Sequence, residues 1–201
     1  MRPRIGPVHD HERLADDHRP ERTTYDRGVN SAPATRRIHL LRHAKSSWDD
    51  ATLEDHDRPL APRGQNASTR LAQWIEESDV RPELVLCSSA LRARETLARL
   101  EEALGAARVV VADSLYGASV DALVARLHGL SPNLTEVLLV GHNPGLADLC
   151  QLLAQPSPER ERIAEKLPTG ALVTLQTRVD WADLGPECAT IVHLVVPREL
   201  E

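Results

Sequence analysis

Aromatic side chains are nearly missing. They make up 2% of the 201 residues, as Trp48, Trp74, Trp181, Tyr25 and Tyr116, and there is no Phe. A general nucleic-acid binder needs stacking rings and a basic face, whereas this chain has a formal net charge of −6, which counts against that class. Long apolar runs are also lacking. None approaches the roughly 20 residues that span a bilayer, and the opening stretch MRPRIGPVHDHERLADDHRP holds no apolar segment of a secretory signal. The expectation is a cytoplasmic protein with neither a membrane nor a nucleic acid as partner. Cysteine is sparse, with Cys87, Cys150 and Cys188 far apart and in no CxxC spacing, as expected of free thiols in a reducing compartment. The excess of acids, 30 Asp+Glu against 24 Lys+Arg, taken alone argues against a protein that handles phosphate.

Residues 1–36 differ from the rest. They hold seven Arg, six acids and three His among a few aperiodic apolar residues, too little to offset the entropy of ordering. They read as a disordered polar arm, in which His9-Asp10-His11 is a solvated cluster, and residues 37–201 read as one domain. From Arg37 onward short β-branched apolar runs alternate with helical stripes. The runs are Ile38–Leu41, Leu84–Cys87, Val109–Ala112, Val137–Val140, Leu172–Leu175 and Ile191–Val196. The stripes are Ala67/Leu71/Trp74/Ile75 following a start at Gly64, then Ala93/Leu97/Leu100/Leu104, Val120/Leu123/Val124/Leu127 and Leu146/Leu149/Leu152/Leu153. Gln155–Gly170, with three prolines and a charged middle, reads as a surface connection or a short exposed helix. This alternation predicts an α/β three-layer sandwich, a mostly parallel central sheet with helices on both faces.

Ligands of such sheets sit at the carboxyl ends of strands. Three segments occupy those ends: Leu41-Arg42-His43-Ala44-Lys45, Cys87-Ser88-Ser89-Ala90-Leu91-Arg92-Ala93-Arg94, and Val140-Gly141-His142-Asn143-Pro144-Gly145. The pattern therefore predicts one crevice lined by two His and two or three Arg. Guanidinium forks match phosphoryl oxygens and can neutralise charge as it develops. A neutral imidazole can carry a phosphoryl group covalently, and a second imidazole can stabilise its oxygens. Such chemistry needs no metal. Taken singly, each residue has a plain alternative: His43 as a capping residue, Arg92 and Arg94 as a solvated helix face, His142 as turn chemistry. Three strand ends carrying such residues at once favour a site.

Other phosphate machinery is missing. There is no GxxxxGK[ST] loop. The residue six after Cys87 is Ala93 rather than the Arg of a cysteine phosphatase, so Cys87 reads as a buried strand residue. Asp55-His56-Asp57 follows polar sequence and not a strand, unlike an aspartate nucleophile loop. His39, His56 and His193 lack metal-ligand spacing, and His39 and His193 fall inside strand patterns.

With these residues in view the chain resembles the histidine phosphatase superfamily, which has the phosphoglycerate-mutase-like fold, and most of all its small SixA-type phosphohistidine phosphatase branch. Five ordered segments carry the resemblance: Leu41 to Trp48 (LRHAKSSW, a variant of the RHG motif), Asp57-Arg58-Pro59-Leu60 followed by Arg63-Gly64, Ser88 to Thr96 (SSALRARET), Leu115-Tyr116-Gly117-Ala118, and Val140 to Pro144. They reach across about residues 37–197. The resemblance implies a phosphatase without metal or other cofactor, with His43 as the nucleophile, Arg42 and Arg92 binding the phosphoryl group, His142 completing the pocket and Arg58 as a further phosphate contact. Lys45 and Ser88 would line the rim. For the general acid Asp55 is the candidate, with Asp57 and Glu54 as alternatives. The implied substrate is a phosphorylated one, first a protein carrying phosphohistidine, then a small phosphoester or nucleotide. A phosphate-binding module without catalysis is the reading from another class. Ala44 in place of the motif's Gly and Ser89 where many members have Pro are the departures.

Overall fold

The computed structural model describes residues 34–200. Six strands, β1 (Arg36–Arg42), β2 (Leu84–Ser88), β3 (Arg108–Ala112), β4 (Glu136–Gly141), β5 (Leu172–Thr177) and β6 (Thr190–Val195), make one sheet in the order β3-β2-β4-β1-β5-β6. Each apolar run read from the sequence overlaps one of them. β3, β2, β4 and β1 are mutually parallel, while β5 is antiparallel to β1 and the edge strand β6 is antiparallel to β5.

The helices are α1 (Pro62–Glu77), α2 (Leu91–Ala98), α3 (Glu101–Leu104), α4 (Val120–His128), α5 (Gly145–Leu153) and α6 (Pro158–Glu165). α1 starts at Pro62, two residues before the expected Gly64, because a first-turn proline has no N–H to leave unpaired and a φ already suited to the helix. The stripe from Ala93 to Leu104 is divided between α2 and α3. The N–H groups of Arg99 and Leu100 bond to Thr96 and Leu97, three residues back, which tightens the chain and ends α2. α6 fills part of Gln155–Gly170, with the Ser157 side chain accepting from Arg160 N as its cap.

Alternation along the strands sorts their side chains to two faces. Ile38, Leu40, Leu86, Leu139 and Val173 pack with Leu123, Leu127, Leu149 and Leu153 of α4 and α5. Leu41, Val85, Cys87, Val140 and Leu172 pack with Leu71, Ile75, Leu97 and Leu104 of α1 to α3. The sheet is thus the middle of three layers. His39 is fully buried in it, bonded to Thr174 Oγ1 and to Glu136, and His193 meets the Trp74 ring edge-on. Among the described residues no helix is long and apolar enough to cross a membrane. β1 opens at Arg36; most of the arm read over residues 1–36, His9-Asp10-His11 included, lies outside the described residues.

What this layout does for a site is fixed by register. β1, β4 and β2 are adjacent and parallel, with Arg42 opposite Gly141 and Cys87 opposite Val140. Their carboxyl ends therefore lie together, and the next residues along each chain segment meet over the sheet edge.

Candidate active site

His43 follows the last residue of β1, and its main chain extends the ladder by one bond, N–H to Gly141 O at 3.0 Å. The loop beyond it is clamped from two sides. Ala44 N–H donates to Thr96 Oγ1 (3.0 Å), whose own hydroxyl donates to Arg92 O (2.6 Å), tying the loop to α2. α1 approaches so closely that a Cβ on Gly64 would stand 2.2 Å from Lys45 O, a clash with rigid backbone; only glycine fits there. Gly145 has the same reason, with Ala118 O at 2.1 Å from where a Cβ would be.

The His43 ring is almost fully buried. Its Nδ1 lies 2.7 Å from Ala44 O. A carbonyl oxygen only accepts, so Nδ1 carries the proton and Nε2 keeps its lone pair. Arg92 Nε donates to that Nε2 at 3.3 Å. Burial pushes the His43 pKa down to about 3, so the ring is neutral at pH 7. The His142 ring lies 4.9 Å from it, centroid to centroid. His142 Nε2 is bonded to Ser88 Oγ at 2.8 Å, and its Nδ1 faces Arg92 Nη2 at 3.5 Å. Burial and then the Arg92 charge lower the His142 pKa to about 4. Ser88, fully buried at the end of β2, thus touches His142.

Arg92 also donates through Nη1 to the Asp55 backbone carbonyl and through Nη2 to Asp55 Oδ2 at 2.9 Å. Arg58 donates to Asp55 Oδ1 (2.9 Å), Ser46 Oγ (2.8 Å) and Ser47 O (2.9 Å), with its guanidinium over the Trp48 ring. Tyr116 O–H donates to Asp55 Oδ2 at 2.8 Å. The carboxylate of Asp55 therefore lies across two arginines. The hydroxyl of Tyr116, above all, together with the two guanidiniums holds its pKa down to about 2, against the opposing effect of burial. Asp57 and Glu54 lie near it in the sequence; Asp57 pairs with His56 instead of an arginine.

Tyr116 and His56 are the residues that sequence reasoning left without a role. Tyr116 meets His142 edge-on at 5.5 Å and His56 at 5.1 Å, and His56 Nε2 is bonded to Ser89 Oγ at 2.9 Å. The motif Leu115-Tyr116-Gly117-Ala118 marked the loop that carries Tyr116, but not what its hydroxyl reaches.

Arg42 stands at the border of the site. Its charge adds to the lowering of both imidazole pKa values, while its Nη1 donates to Leu167 O at 2.6 Å and its Nε is buried without a partner. With Lys45 it opens onto a neighbouring cleft of about 590 Å³, which His43, Arg92 and His142 do not line. Cys87 is buried in β2, and desolvation pushes its thiol up to about 12, far from a reactive thiolate. Among the described residues no group of three or more His, Cys, Asp or Glu is arranged to hold a metal.

Comparison with known proteins bears on the family and the fold. The family model of the histidine phosphatase superfamily (branch 1) matches residues 38–125, from β1 into α4. Uncharacterized protein MT1313 of Mycobacterium tuberculosis (strain CDC 1551 / Oshkosh) is 39% identical over 162 residues, which are 79% of this chain and all of that protein. A Nakamurella multipartitia structure assigned as phosphohistidine phosphatase SixA superposes with a TM-score of 0.74 at 29% identity, covering 83% of this chain and 99% of that one. The protein histidine phosphatase SixA in complex with tungstate gives 0.67 at 25% identity, covering 82% and 99%. The sheet order, the motifs at its strand ends and these likenesses lead to one conclusion: the chain is a member of the histidine phosphatase superfamily.

Proposed function

We propose that this phosphatase acts through a phosphoryl group carried on His43, and that its substrate is phosphohistidine in a protein. One observation carries the mechanism: the proton on His43 Nδ1 is held by Ala44 O, so Nε2 presents a lone pair beside a guanidinium. In the first step that lone pair attacks phosphorus, a P–Nε2 bond forms, and the bond to the leaving group breaks in line with it. Arg92, Arg58 and Arg42 hold the oxygens of the transferring group. His142, kept in place by Ser88, faces the same group; a dianion beside it raises its pKa and favours the imidazolium that pairs with those oxygens.

In the second step water attacks phosphorus, the P–N bond breaks, and phosphate leaves. The groups that take and give the protons follow from Asp55. Bound to two arginines it is an acceptor. When phosphoryl oxygens take over the guanidiniums, the carboxylate loses its partners and gains an anionic neighbour, and its pKa rises. It is then suited to protonate a leaving group and afterwards to accept a proton from water. An imidazole leaving group asks little of that acid. That the similar SixA was obtained in complex with tungstate supports an oxyanion as the kind of ligand.

A small-molecule phosphoester is the second reading, and the size of the neighbouring cleft favours it, since about 590 Å³ lies in the range of ligand pockets. The cleft is lined by no aromatic ring, so a nucleotide base finds no stacking surface there. Rapid quench with a phosphohistidine peptide, followed by mass spectrometry, is expected to find phosphate on His43, and His43→Ala is expected to lower turnover at least ~10³-fold. Full activity in His43→Ala sinks the mechanism. A higher kcat/KM for small phosphoesters than for the peptide sinks the substrate assignment.

A further inference from the structure

The cleft beside the site gathers six cations: Arg42, Lys45, Arg63, Arg70, Lys166 and Arg198. That is a quarter of the 24 Lys+Arg of a chain whose net charge is −6, and no carboxylate lines the cleft. They arrive from four places: the end of β1 with the loop after it, α1, the segment after α6, and the short helical turn Pro197–Glu199. Among the described residues Arg42, Lys45, Arg63, Arg70 and Lys166 have no carboxylate within ion-pair distance; only Arg198 does, at 3.6 Å from Glu199. Some arginines elsewhere are paired, as in Arg36–Asp180, Arg37–Asp79 and Arg160–Glu187, and others are not, so it is the gathering of these cations around one cleft that sets them apart.

Like charges collected around one concavity repel one another and concentrate anions there. The feature is not the solvated face of a single helix, since its members come from segments up to 156 residues apart, Arg42 to Arg198. Arg42 adds a second observation: a guanidinium Nε buried without a partner, in a side chain whose pKa burial lowers. Arg63 and Arg70 are seven residues apart on α1, so they share a face and stand about 10 Å apart along the axis. One phosphoryl group does not cover that span.

The geometry points to a second, anion-binding subsite that takes negatively charged groups of the substrate other than the phosphoryl group being transferred. The reading rests on His43 as the reaction centre, because Arg42 and Lys45 join the two. The substrate class it specifies is a polyanion: a phosphorylated residue flanked by acidic side chains, or a small molecule with further phosphates. The ligand chemistry is shared, and the test separates the sources.

The decisive comparison is between wild type and Arg63→Gln/Arg70→Gln, with Lys166→Gln as a variant on another element. Each is assayed with p-nitrophenyl phosphate and with two phosphohistidine peptides, one flanked by Glu and one by Gln at the same positions. Both arginines are exposed, so the fold is expected to survive, and an unchanged melting curve verifies it. In wild type the Glu-flanked peptide has a KM about fivefold to tenfold lower than the Gln-flanked one, as expected from losing a few exposed charge pairs. The double variant removes that difference, high salt removes it too, and kcat and p-nitrophenyl phosphate turnover stay as they were. Calorimetric titration with inorganic tripolyphosphate, which needs no turnover, reads the cleft independently. Weaker tripolyphosphate binding in the variants with unchanged peptide kinetics also supports the subsite and makes phosphate its ligand. Equal KM for both peptides in wild type, together with unchanged tripolyphosphate affinity in the variants, overturns it. If wild type turns over p-nitrophenyl phosphate but neither peptide, the phosphohistidine assignment fails while the tripolyphosphate arm still decides the subsite.

Discussion

Two groups of cations stand side by side in this protein and are treated oppositely. Arg58 and Arg92, at the reaction centre, are neutralised by the protein's own Asp55. Around the adjoining cleft Arg42, Lys45, Arg63, Arg70 and Lys166 have no such partner among the described residues. Burial is the physical difference. Arg58 and Arg92 are almost fully enclosed, where an unpaired charge is costly, whereas Arg63, Arg70 and Lys166 around the open cleft are exposed and keep their water. The buried pair therefore needs a resident carboxylate that the substrate must displace, and the open set can wait for an anion without one.

Arg92 is where the comparison can be broken hardest, because it alone touches both imidazoles and Asp55. Arg92→Ala is expected to lower kcat/KM about 10²- to 10³-fold, against a KM effect without loss of kcat for the cleft variants. Arg92→Lys is expected not to restore the rate, since an ammonium is one point charge and cannot serve three acceptors in fixed directions. Steady-state kinetics on the phosphohistidine peptide checks this; recovery to near wild type in Arg92→Lys would show that only charge matters.

The enclosed side also has a stability signature. His43 and His142 have pKa values lowered to about 3 and about 4 in the fold, against about 6.5 in an unfolded chain. Below pH 6.5 the unfolded chain binds protons that the folded one refuses, so unfolding is favoured as pH falls. The stability is complete above about pH 6.5 and declines through the window down to about pH 4 and then 3. The pair together is worth on the order of a few kcal/mol. Urea denaturation at pH 7.5 and pH 5 is expected to show this loss, and His142→Gln to flatten the slope. An equal slope in that variant removes the argument.

Strand ends were readable because register is a local consequence of apolar runs: three parallel strands side by side bring His43, Ser88 and His142 together whatever the loops do. The converging arginines were only half readable. Arg58 and Arg92, which the resemblance assigned to the phosphoryl group, meet across Asp55, while Arg42, assigned there too, stands at the border with the cleft. The cleft itself left no local pattern, because Arg63 and Arg70 look like the solvated side of α1 until Lys166 and Arg198 are folded against them. The break between α2 and α3 was also hidden, since the apolar stripe continues unbroken through the tightened turn at Arg99 and Leu100.

Asp55 sharpens the comparison from the other side. Asp55→Asn removes the resident anion and leaves two enclosed guanidiniums for the ligand. Inorganic phosphate or tungstate is expected to bind about tenfold tighter, a modest figure because the carboxylate is half exposed and its pairing correspondingly screened. Turnover is expected to fall in the same variant, since the amide neither gives nor takes the proton. Calorimetric titration beside kinetics checks both directions. Tighter binding with undiminished turnover would keep Asp55 as a placeholder and remove it as the acid.

Tyr116 gives the finest adjustment. Its hydroxyl is the largest single influence lowering the Asp55 pKa, yet the ring is itself partly exposed and also rests edge-on against His142. Tyr116→Phe keeps the ring contact and deletes one hydrogen bond, worth about 1 kcal/mol at most in such a setting. With that bond gone, Asp55 should titrate at higher pH and hold Arg92 less firmly. The expected result is a twofold to fivefold gain in phosphate affinity, the same direction as Asp55→Asn and smaller. Carboxyl chemical shifts followed through acid titration, together with calorimetry, measure both consequences on one sample. If phosphate affinity rises but the Asp55 titration does not move, the hydroxyl acts on the ligand and not through the carboxylate. If neither moves, the tyrosine contributes only its ring, and the balance between the occupied and the open cations is set by Asp55 and the arginines alone.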